Sequence, residues 1–421
     1  MSSAPSSSSI WKQLSEPYRG LDRRIWYIAA TRCVNTMGFS IVMPFMAMWM
    51  VKQRGVLAAR VGIIYMIAGF VAAASQGLAG ELSDRFGRRR IMVAALSLRA
   101  LNMVAMGVAV RASATIHTLG ALIVLNGVLR AMFEPAAGAA VTDLAPEGQR
   151  VAAFGLQRIG INLAWSFGPM LGGAFATYDF GALFFFAAPT LLAAAVVASR
   201  IPDLPRRRMT DPALRVQRGE RLGVGALVDA LRDNPPFFIC LVLVFCGSML
   251  TTQLFATLTT YLGAELRYAT GKIGLVYTIN GILVVLLQVP AVTLIRRGGA
   301  RVALVVGPAM YTIAYLLIGS SDAFWWISAC VAFLTFGEVI FSPALSDLAV
   351  YLGDPKRYGR SFGLFGFMQT LGISLGPLLG GTIFDHLRHR HQAMWAVLAG
   401  LMACVTVAYA AFGRRYAVRV L

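Results

Sequence analysis

Acidic residues are scarce in this chain. Its 421 residues include 19 Asp and Glu against 38 Lys and Arg, which gives a net charge of +19. The 5 cysteines lack the spacing of a metal site, and His386, His389 and His391 fit a solvated loop better than a metal cluster. No glycine-rich phosphate-binding loop ending in Lys-Ser or Lys-Thr is present. The sequence therefore argues against an ATP-driven pump and an enzyme, and we expect no metal and no cofactor.

Apolar sequence, in contrast, is abundant. The chain is 57% hydrophobic, above the roughly half-apolar composition of soluble proteins, and its mean hydropathy is +0.67. Apolar runs of about twenty residues, long enough to cross about 30 Å of hydrocarbon, recur along it. We predict an all-α integral membrane protein with twelve spans, approximately at 25–51, 61–82, 91–110, 119–144, 151–176, 183–201, 237–262, 273–295, 302–318, 324–352, 361–385 and 394–412.

The basic residues follow this topology. If the N-terminus is cytoplasmic, most of the 38 Lys and Arg fall in cytoplasmic tails and loops, as the positive-inside rule requires. An even number of spans then places both termini in the cytoplasm. The charge is explained by topology and by contact with anionic membrane lipid, without a nucleic-acid partner. We also expect an uncleaved first helix, since no short apolar core precedes a small-residue cleavage site.

The chain repeats one pattern at half its length. Glu134 precedes Asp143 by the same interval that separates Glu338 from Asp347. Each pair is followed by a Gly-Pro-x-x-Gly-Gly block, at 168–173 and 376–381. The repeat predicts two pseudo-symmetric six-helix halves. The expected segments are a cytoplasmic tail at 1–24, an N-terminal bundle at 25–201, a cytoplasmic linker at 202–236, a C-terminal bundle at 237–412 and a cytoplasmic tail at 413–421.

Ionisable residues at membrane depth are costly and usually face a cavity or a partner. Arg130 precedes Glu134 by four residues, so their side chains share a helix face, and we expect an ion pair that is either gated or permanent. Glu338 has no arginine in its span and is expected to contact substrate unpaired. Trp165 is interpreted as an interfacial anchor. Six weaker candidates for the cavity, each more often a helix contact than a ligand, are Arg32, Asn35, Arg158, Gln253, Asn280 and Gln369.

The run from Gly80 to Arg90, Gly-Glu-Leu-Ser-Asp-Arg-Phe-Gly-Arg-Arg-Arg, follows the second span. It resembles the signature loop after helix two of the major facilitator superfamily. The resemblance implies a one-sided cytoplasmic latch in which Asp84 lies near Ser361 and Arg88 lies near Asp143. Two of its glycines are expected to allow a tight connection and a close helix contact. The predicted latch residues are Gly80, Asp84, Arg85, Gly87, Arg88 and Asp143.

The Gly-Pro block of span five resembles a motif that the same superfamily associates with antiporters. Small residues let helices approach closely, so packing alone and a role in export both remain open. The predicted helix-packing residues are Gly168, Pro169, Gly172 and Gly173 in the first half and Gly376, Pro377, Gly380 and Gly381 in the second.

The resemblance covers nearly the whole chain, and 130–173 is similar to the twelve-helix drug:proton antiporters of bacteria, of the multidrug-resistance protein H type. It implies a monomeric secondary transporter of the bacterial inner membrane that exports small amphipathic or cationic molecules in exchange for protons by alternating access. Glu134 and Glu338 would face the substrate from opposite halves. The alternatives are uptake or export of one specific metabolite, sugar or lipid, and a non-transporting membrane sensor on the same fold.

Overall fold

The computed structural model describes residues 20–146, 149–202, 232–298, 300–353 and 358–416. Within these ranges the chain is almost entirely helical and contains no β-strand. Eleven helices there are long and apolar enough to cross a membrane. The predicted span at 151–176 is also one long helix, although Gln157, Arg158 and Asn162 interrupt its apolar sequence. Most of the predicted linker and of the N-terminal tail lies outside the described residues.

Each predicted span contains one long helix, and most of these helices begin before the predicted start. The helices of the spans at 183–201 and 237–262 end earlier than predicted, and the helix at 324–352 has the predicted bounds. In chain order they are α1 (Arg23–Lys52), α2 (Ala58–Phe86), α3 (Arg88–Arg111), α4 (Ile116–Leu144), α5 (Arg150–Ala176), α6 (Ala182–Ser199), α7 (Pro235–Thr251), α8 (Thr270–Gly298), α9 (Ala300–Ile318), α10 (Phe324–Leu352), α11 (Tyr358–Leu387) and α12 (His391–Arg415). The seventh span is irregular: after α7 come a 3₁₀ turn at Thr252–Leu254, a short helical turn at Thr257–Thr260 and a π turn at Tyr261–Glu265.

The two halves have the same internal packing. In the first half α1 packs on α5 and α6, α2 on α4, and α3 on α4 and α6. The helices six positions later repeat these pairs: α7 packs on α11 and α12, α8 on α10, and α9 on α10 and α12. The halves then meet through α2 with α11 and α5 with α8, two contacts that a two-fold operation exchanges. The repeat seen in the sequence is therefore a repeat of structure.

The outer surface of this bundle is apolar. Leu101, Leu286 and Val407, on three different helices, are 66%, 65% and 66% exposed. Soluble monomers rarely expose large apolar patches, whereas a helix facing hydrocarbon gains by doing so. We call the side where α1 begins and α12 ends the terminal side, and the opposite side the distal side.

Candidate functional site

An ion pair at membrane depth joins α1 to α4. Nη2 of Arg32 donates to Oε2 of Glu134. The two side chains are 14% and 35% exposed, so the guanidinium is largely enclosed while the carboxylate keeps contact with solvent. The expected ion pair between Arg130 and Glu134 is not formed. Both side chains share a face of α4, but an arginine from the neighbouring helix reaches the carboxylate instead.

Arg130 lies against an aromatic ring. Its guanidinium carbon is 4.9 Å from the ring centroid of Phe39 on α1, within the range of a cation–π interaction. Its side chain is exposed, and it forms no ion pair with any carboxylate among the described residues. The guanidinium therefore has its charge available to a ligand.

Phe39 begins a row of aromatic rings that crosses from one half to the other. Its centroid is 6.1 Å from that of Trp165 on α5, and Trp165 is 5.0 Å from Phe255 in the irregular segment after α7. Phe255 stacks on Tyr277 of α8 at 5.3 Å. Trp165 lies eleven residues before the distal end of α5, which places it about 16 Å along the helix axis from that end. It therefore packs between the halves, and its interpretation as an interfacial anchor was wrong.

A second arginine of the first half is wholly buried. Arg99 on α3 is 0% exposed, and its Nη1 and Nε donate to Oδ1 of Asn35 and, at 3.1 Å, to Oδ1 of Asn126. Its Nη2 has no hydrogen-bond partner among the described residues. Both acceptors are neutral, so no carboxylate compensates this charge by direct contact. Asn35, expected in the cavity, instead binds Arg99 inside the bundle.

The carboxylate of the second half is held by an amide. Nδ2 of Asn280 on α8 donates to Oε2 of Glu338 at 3.0 Å and to Oγ1 of Thr335 at 2.8 Å. Glu338, expected to be unpaired, therefore has a hydrogen-bond donor but no ion-pair partner among the described residues. From the opposite half, Nη2 of Arg158 on α5 donates at 3.3 Å to Oγ of Ser342, one turn beyond Glu338 on α10.

Two further candidates do not belong to this cluster. Gln253 is fully buried; its Nε2 donates to the carbonyls of Met249 at 2.7 Å and Gly376 at 2.9 Å, and its Oε1 accepts from Thr257 at 2.6 Å. It joins the irregular segment after α7 to α11, and both N–H groups of its amide are used within the protein. Gln369 is half-buried on α11. The structure thus forms two polar groups. Arg32, Glu134 and Arg130 lie on α1 and α4, and Arg158, Asn280 and Glu338 lie on α5, α8 and α10, with the row of aromatic rings crossing between the halves.

The predicted latch is mostly helix. α2 continues to Phe86, so Gly87 alone separates it from α3, and its φ of 100° is a conformation that glycine adopts without strain. The other glycine was expected to allow close helix contact, which is wrong: a Cβ on Gly80 would meet nothing within 4 Å. The guanidinium of Arg85 lies 5.6 Å from the ring of the adjacent Phe86.

Arg88 sits between two carboxylates at the terminal side. Its Nη1 donates to Oδ1 of Asp84, and its Nε lies 3.4 Å from Oδ2 of Asp143. Both acids are in the last turn of their helices and Arg88 is the first residue of α3, so each charge has the unfavourable sign for its own helix dipole. The attraction between Arg88 and the two carboxylates offsets the unfavourable interactions with the helix dipoles. The proximity of Asp84 to Ser361 stays a prediction.

The first Gly-Pro block packs against two helices at once. A Cβ on Gly168 would meet the side chain of Ser40 on α1, and one on Gly172 would lie 3.0 Å from Phe45. On the other face, a Cβ on Gly173 would lie 2.5 Å from the carbonyl oxygen of Thr270 on α8, in the opposite half. Pro169 contacts α8 as well, since its carbonyl oxygen would lie 2.5 Å from a Cβ on Gly274.

The second block repeats this arrangement. Gly376 and Gly380 face the seventh span of their own half, where a Cβ on Gly376 would lie 2.9 Å from the carbonyl oxygen of Met249. Pro377 and Gly381 face α2 of the first half, and a Cβ on Gly381 would lie 2.6 Å from the carbonyl carbon of Ala58. Both blocks lie toward the distal ends of their helices. The duplicated motif therefore forms the distal seam, the close contacts of α5 with α8 and of α2 with α11.

Sequence reasoning missed a polar contact across this seam. Oδ1 and Oδ2 of Asp385, near the end of α11, accept from the backbone nitrogens of Ala58 at 2.9 Å and Ala59 at 2.8 Å. These nitrogens begin α2, whose N-cap residue Leu57 provides no side-chain hydrogen bond. An aspartate just before a charged, polar loop is an ordinary helix end in sequence, so no local signal distinguishes it.

A second missed group lies on the distal surface. His391, the first residue of α12, has Nε2 at 3.7 Å from Glu265 and Nδ1 at 3.7 Å from Asp322, and His389 lies 3.4 Å from the same glutamate. These histidines were expected in a solvated loop. His391 is instead 28% exposed and in contact with acids from two other segments. Within the described residues no group of three or more such side chains is arranged to hold a metal.

The chain is similar to known transporters in sequence and in fold. The chain is 26% identical over 380 residues to the MFS-type transporter YqjV of Bacillus subtilis (strain 168), covering 89% of this chain and 90% of that protein. It is 25% identical over 395 residues to the multidrug resistance protein MdtH of Enterobacter sp. (strain 638), covering 91% and 92%. The solved structure of the nucleoside transporter NupG has the same fold, with a TM-score of 0.76 at 13% identity over 93% of this chain and 99% of that one.

These relatives are named as transporters, which indicates a transporter and not an enzyme. The family model of the Major Facilitator Superfamily matches residues 28–377, which is most of the chain. The chain belongs to the Major Facilitator Superfamily, and it is a multi-pass membrane transporter.

Proposed function

We propose that this transporter exports small amphipathic molecules from a bacterial cytoplasm across the inner membrane, in exchange for protons. The observation that supports proton coupling is the Arg32–Glu134 pair. It places a partly solvated carboxylate at membrane depth, held by an arginine of a neighbouring helix. The similarity to MdtH supports a multidrug substrate range, which is what that protein's name states.

Glu134 has the properties of a coupling carboxylate. When it is ionised, its charge is compensated by Arg32, and α1 is tied to α4. When it is protonated, the largely enclosed guanidinium loses its counter-charge, and leaving a buried charge uncompensated costs about 3–5 kcal/mol in the fully buried case. Glu134 is 35% exposed, so the cost here is smaller. Protonation would thus favour a different arrangement of these two helices.

The contacts between the halves support alternating access. On the distal side, α5 meets α8 and α2 meets α11, and a Cβ on Gly263, past α7, would collide with Met48 of α1. Deeper in the bundle, Arg130 and Arg158 remain exposed. With both termini in the cytoplasm, as the charge distribution predicts, we propose that the structure is a state whose cavity is open to the cytoplasm. Separating the distal seam would give the opposite state.

The test begins with a thermal-shift screen of amphipathic compounds of both charges, followed by flux of each hit in proteoliposomes. We expect an imposed pH gradient to drive flux in the native protein. Glu134→Gln should lose gradient-driven flux while the protein stays folded and keeps substrate exchange without a gradient. Its unfolding temperature should fall, because Arg32 loses its counter-charge. Glu81→Gln, a carboxylate on the exposed terminal part of α2, is the matched control and should transport normally.

Three outcomes separate the alternatives. Gradient-driven flux by Glu134→Gln equal to native would refute the coupling assignment. Flux that ignores the gradient in the native protein would indicate facilitated movement of a metabolite. Binding without any flux would indicate a membrane sensor.

A further inference from the structure

We infer that the central cavity, by which we mean the space between the halves where Arg130 and Arg158 are exposed, binds amphipathic organic anions with an aromatic body. The acidic group would be held by Arg130 and Arg158, and the ring would pack on the row of Phe39, Trp165 and Phe255. This inference rests on the proposed function, because it takes the central cavity as the substrate site. It differs from the sequence-based expectation, which included cationic molecules.

The first argument is the balance of charge at membrane depth. At least seven residues inside both ends of the predicted spans, four arginines (Arg32, Arg99, Arg130 and Arg158) stand against two glutamates (Glu134 and Glu338), and all four arginines belong to the first half. One glutamate is paired with Arg32, and the other is held by an amide from α8. Intramembrane charges normally pair with one another or serve a ligand. The surplus is positive, so the missing partner is an anion.

The second argument is the type of contact that the two exposed arginines make. Arg130 touches an aromatic face and Arg158 touches a hydroxyl, and neither forms an ion pair among the described residues. Guanidinium groups bind carboxylates, sulfonates and phosphates through two parallel hydrogen bonds. A planar anionic group would offer both arginines better acceptors than the partners they have.

The third argument is the placement of the rings beside these charges. On α5, Arg158 and Trp165 are seven residues apart and share one face; on α1, Arg32 and Phe39 have the same spacing. Arg130 rests on Phe39, which in turn contacts Trp165. On both α1 and α5, an arginine and an aromatic ring therefore lie about two helical turns apart on the same face of the helix. A molecule with an acidic head and a flat apolar body matches this pattern.

The experiment uses three probes with one ring system and different charges: 2-naphthoate, 2-naphthamide and 2-naphthylmethylammonium. Apparent Kd values are measured by thermal-shift titration of the purified full chain, with no pH gradient. We expect naphthoate to bind at least about tenfold more tightly than naphthamide, because it forms charge-assisted hydrogen bonds, and the ammonium probe to bind most weakly. Arg130→Gln combined with Arg158→Gln should abolish this order.

Two further variants make the result specific. Arg130→Lys with Arg158→Lys keeps both charges and should preserve the order with weaker binding, since lysine lacks the planar fork. If the double glutamine variant does not fold, the double lysine variant still tests whether these two side chains determine the order of affinities. Arg111→Gln, which removes a distal arginine paired with Asp179 at 2.5 Å, should bind all three probes as the native protein does.

An order of affinities that is absent or reversed in the native protein, or that survives in the double glutamine variant, overturns the inference. Such a failure is distinct from failure of proton coupling, because the binding measurement involves no gradient. Absence of gradient-driven flux in the native protein, with the order of affinities intact, would refute coupling alone.

Discussion

Removing the carboxylate of Asp385 should weaken the distal seam without disturbing either half. This residue of α11 accepts hydrogen bonds from the first two backbone nitrogens of α2, Ala58 and Ala59, at 2.9 and 2.8 Å. The amides at a helix N-terminus have no partner within their own helix. Asp385 therefore caps a helix of the opposite half, and its two hydrogen bonds exist only while the distal side is closed.

The size of the effect follows from this geometry. Replacing an N-cap aspartate by alanine costs about 0.5–2 kcal/mol, and the helix dipole adds about 0.3–1 kcal/mol for a carboxylate at this position. Part of this is offset, because Asp385 lies near the C-terminus of its own helix, where the dipole disfavours a negative charge. We expect Asp385→Ala to destabilise the closed state by about 1–2 kcal/mol, which changes the ratio of closed to open molecules by about fivefold to thirtyfold.

Disulfide formation across the seam measures that ratio. Oγ1 of Thr177 at the end of α5 lies 3.1 Å from Oγ1 of Thr270 at the start of α8, so cysteines at these positions would be close enough to bond when the seam is closed. The pair is placed in a chain whose native cysteines are replaced by alanine and whose linker carries a protease site. After oxidation and cleavage, the halves stay joined only if the disulfide has formed.

We expect disulfide formation to be slower in Asp385→Ala and intermediate in Asp385→Asn, which keeps one acceptor but no charge. The matched control is Asp179→Ala. Asp179 also accepts from a backbone nitrogen at a helix start, that of Gly181 at 2.8 Å, but donor and acceptor belong to the same half. Equal rates in Asp385→Ala, Asp179→Ala and the native background would show that the reasoning about the seam is wrong.

Two other perturbations test neighbouring features. Gly281→Ala should separate α8 from α5 and reduce transport, because its Cβ would lie 2.5 Å from Oγ of Ser166 and overpacking costs about 1–3 kcal/mol. Gly400→Ala is the control: a Cβ there meets nothing within 4 Å, so this variant should be neutral or stabilising in thermal unfolding. Equal losses of stability in both variants would contradict the close packing of α5 on α8. The hydrogen bond from Arg111 holds the pKa of Asp179 below its usual value. This stabilisation is present above the ordinary aspartate pKa of about 3.9 and is lost as the pH falls through the lowered value, so Asp179→Asn should lose less stability than native between pH 7 and pH 3. The difference should not exceed about 1 kcal/mol, since the pair is exposed, and parallel pH profiles would refute it.

The fold could be predicted from the sequence because the membrane restricts the choice. A chain in hydrocarbon must satisfy its backbone polar groups internally, so apolar runs of sufficient length become helices. The repeat of Glu134 and Glu338 at equivalent positions then identified the two halves. The Gly-Pro blocks were recognised as helix contacts, but the sequence did not say which helices they contact.

The partners of the charged residues could not be predicted in the same way. The spacing of Arg130 and Glu134 identifies neighbours on one helix, but the ion pair is decided by Arg32, which is about a hundred residues away in sequence. The same holds for Asp385, whose partners are backbone nitrogens more than three hundred residues distant. Local periodicity carries no information on such contacts, since they depend on how helices are arranged around one another.

The symmetry of the seam and the asymmetry of the charges have different physical consequences. Close packing of α5 on α8 and of α2 on α11 uses the same motif twice. The halves are related by an axis along the membrane normal, so both contacts would open together if the halves tilted apart about an axis in the membrane plane. A proton or an anion, however, needs one site with a definite charge, and doubling that site would double the cost of burying it. The arginines at membrane depth are confined to the first half, and the second half contributes Glu338 and aromatic surface. A substrate bound between the halves would therefore contact charged side chains mainly from the first half and apolar side chains from both halves. Movement of the halves would change access to the site, while the charged groups that bind proton or anion remain on α1, α4 and α5.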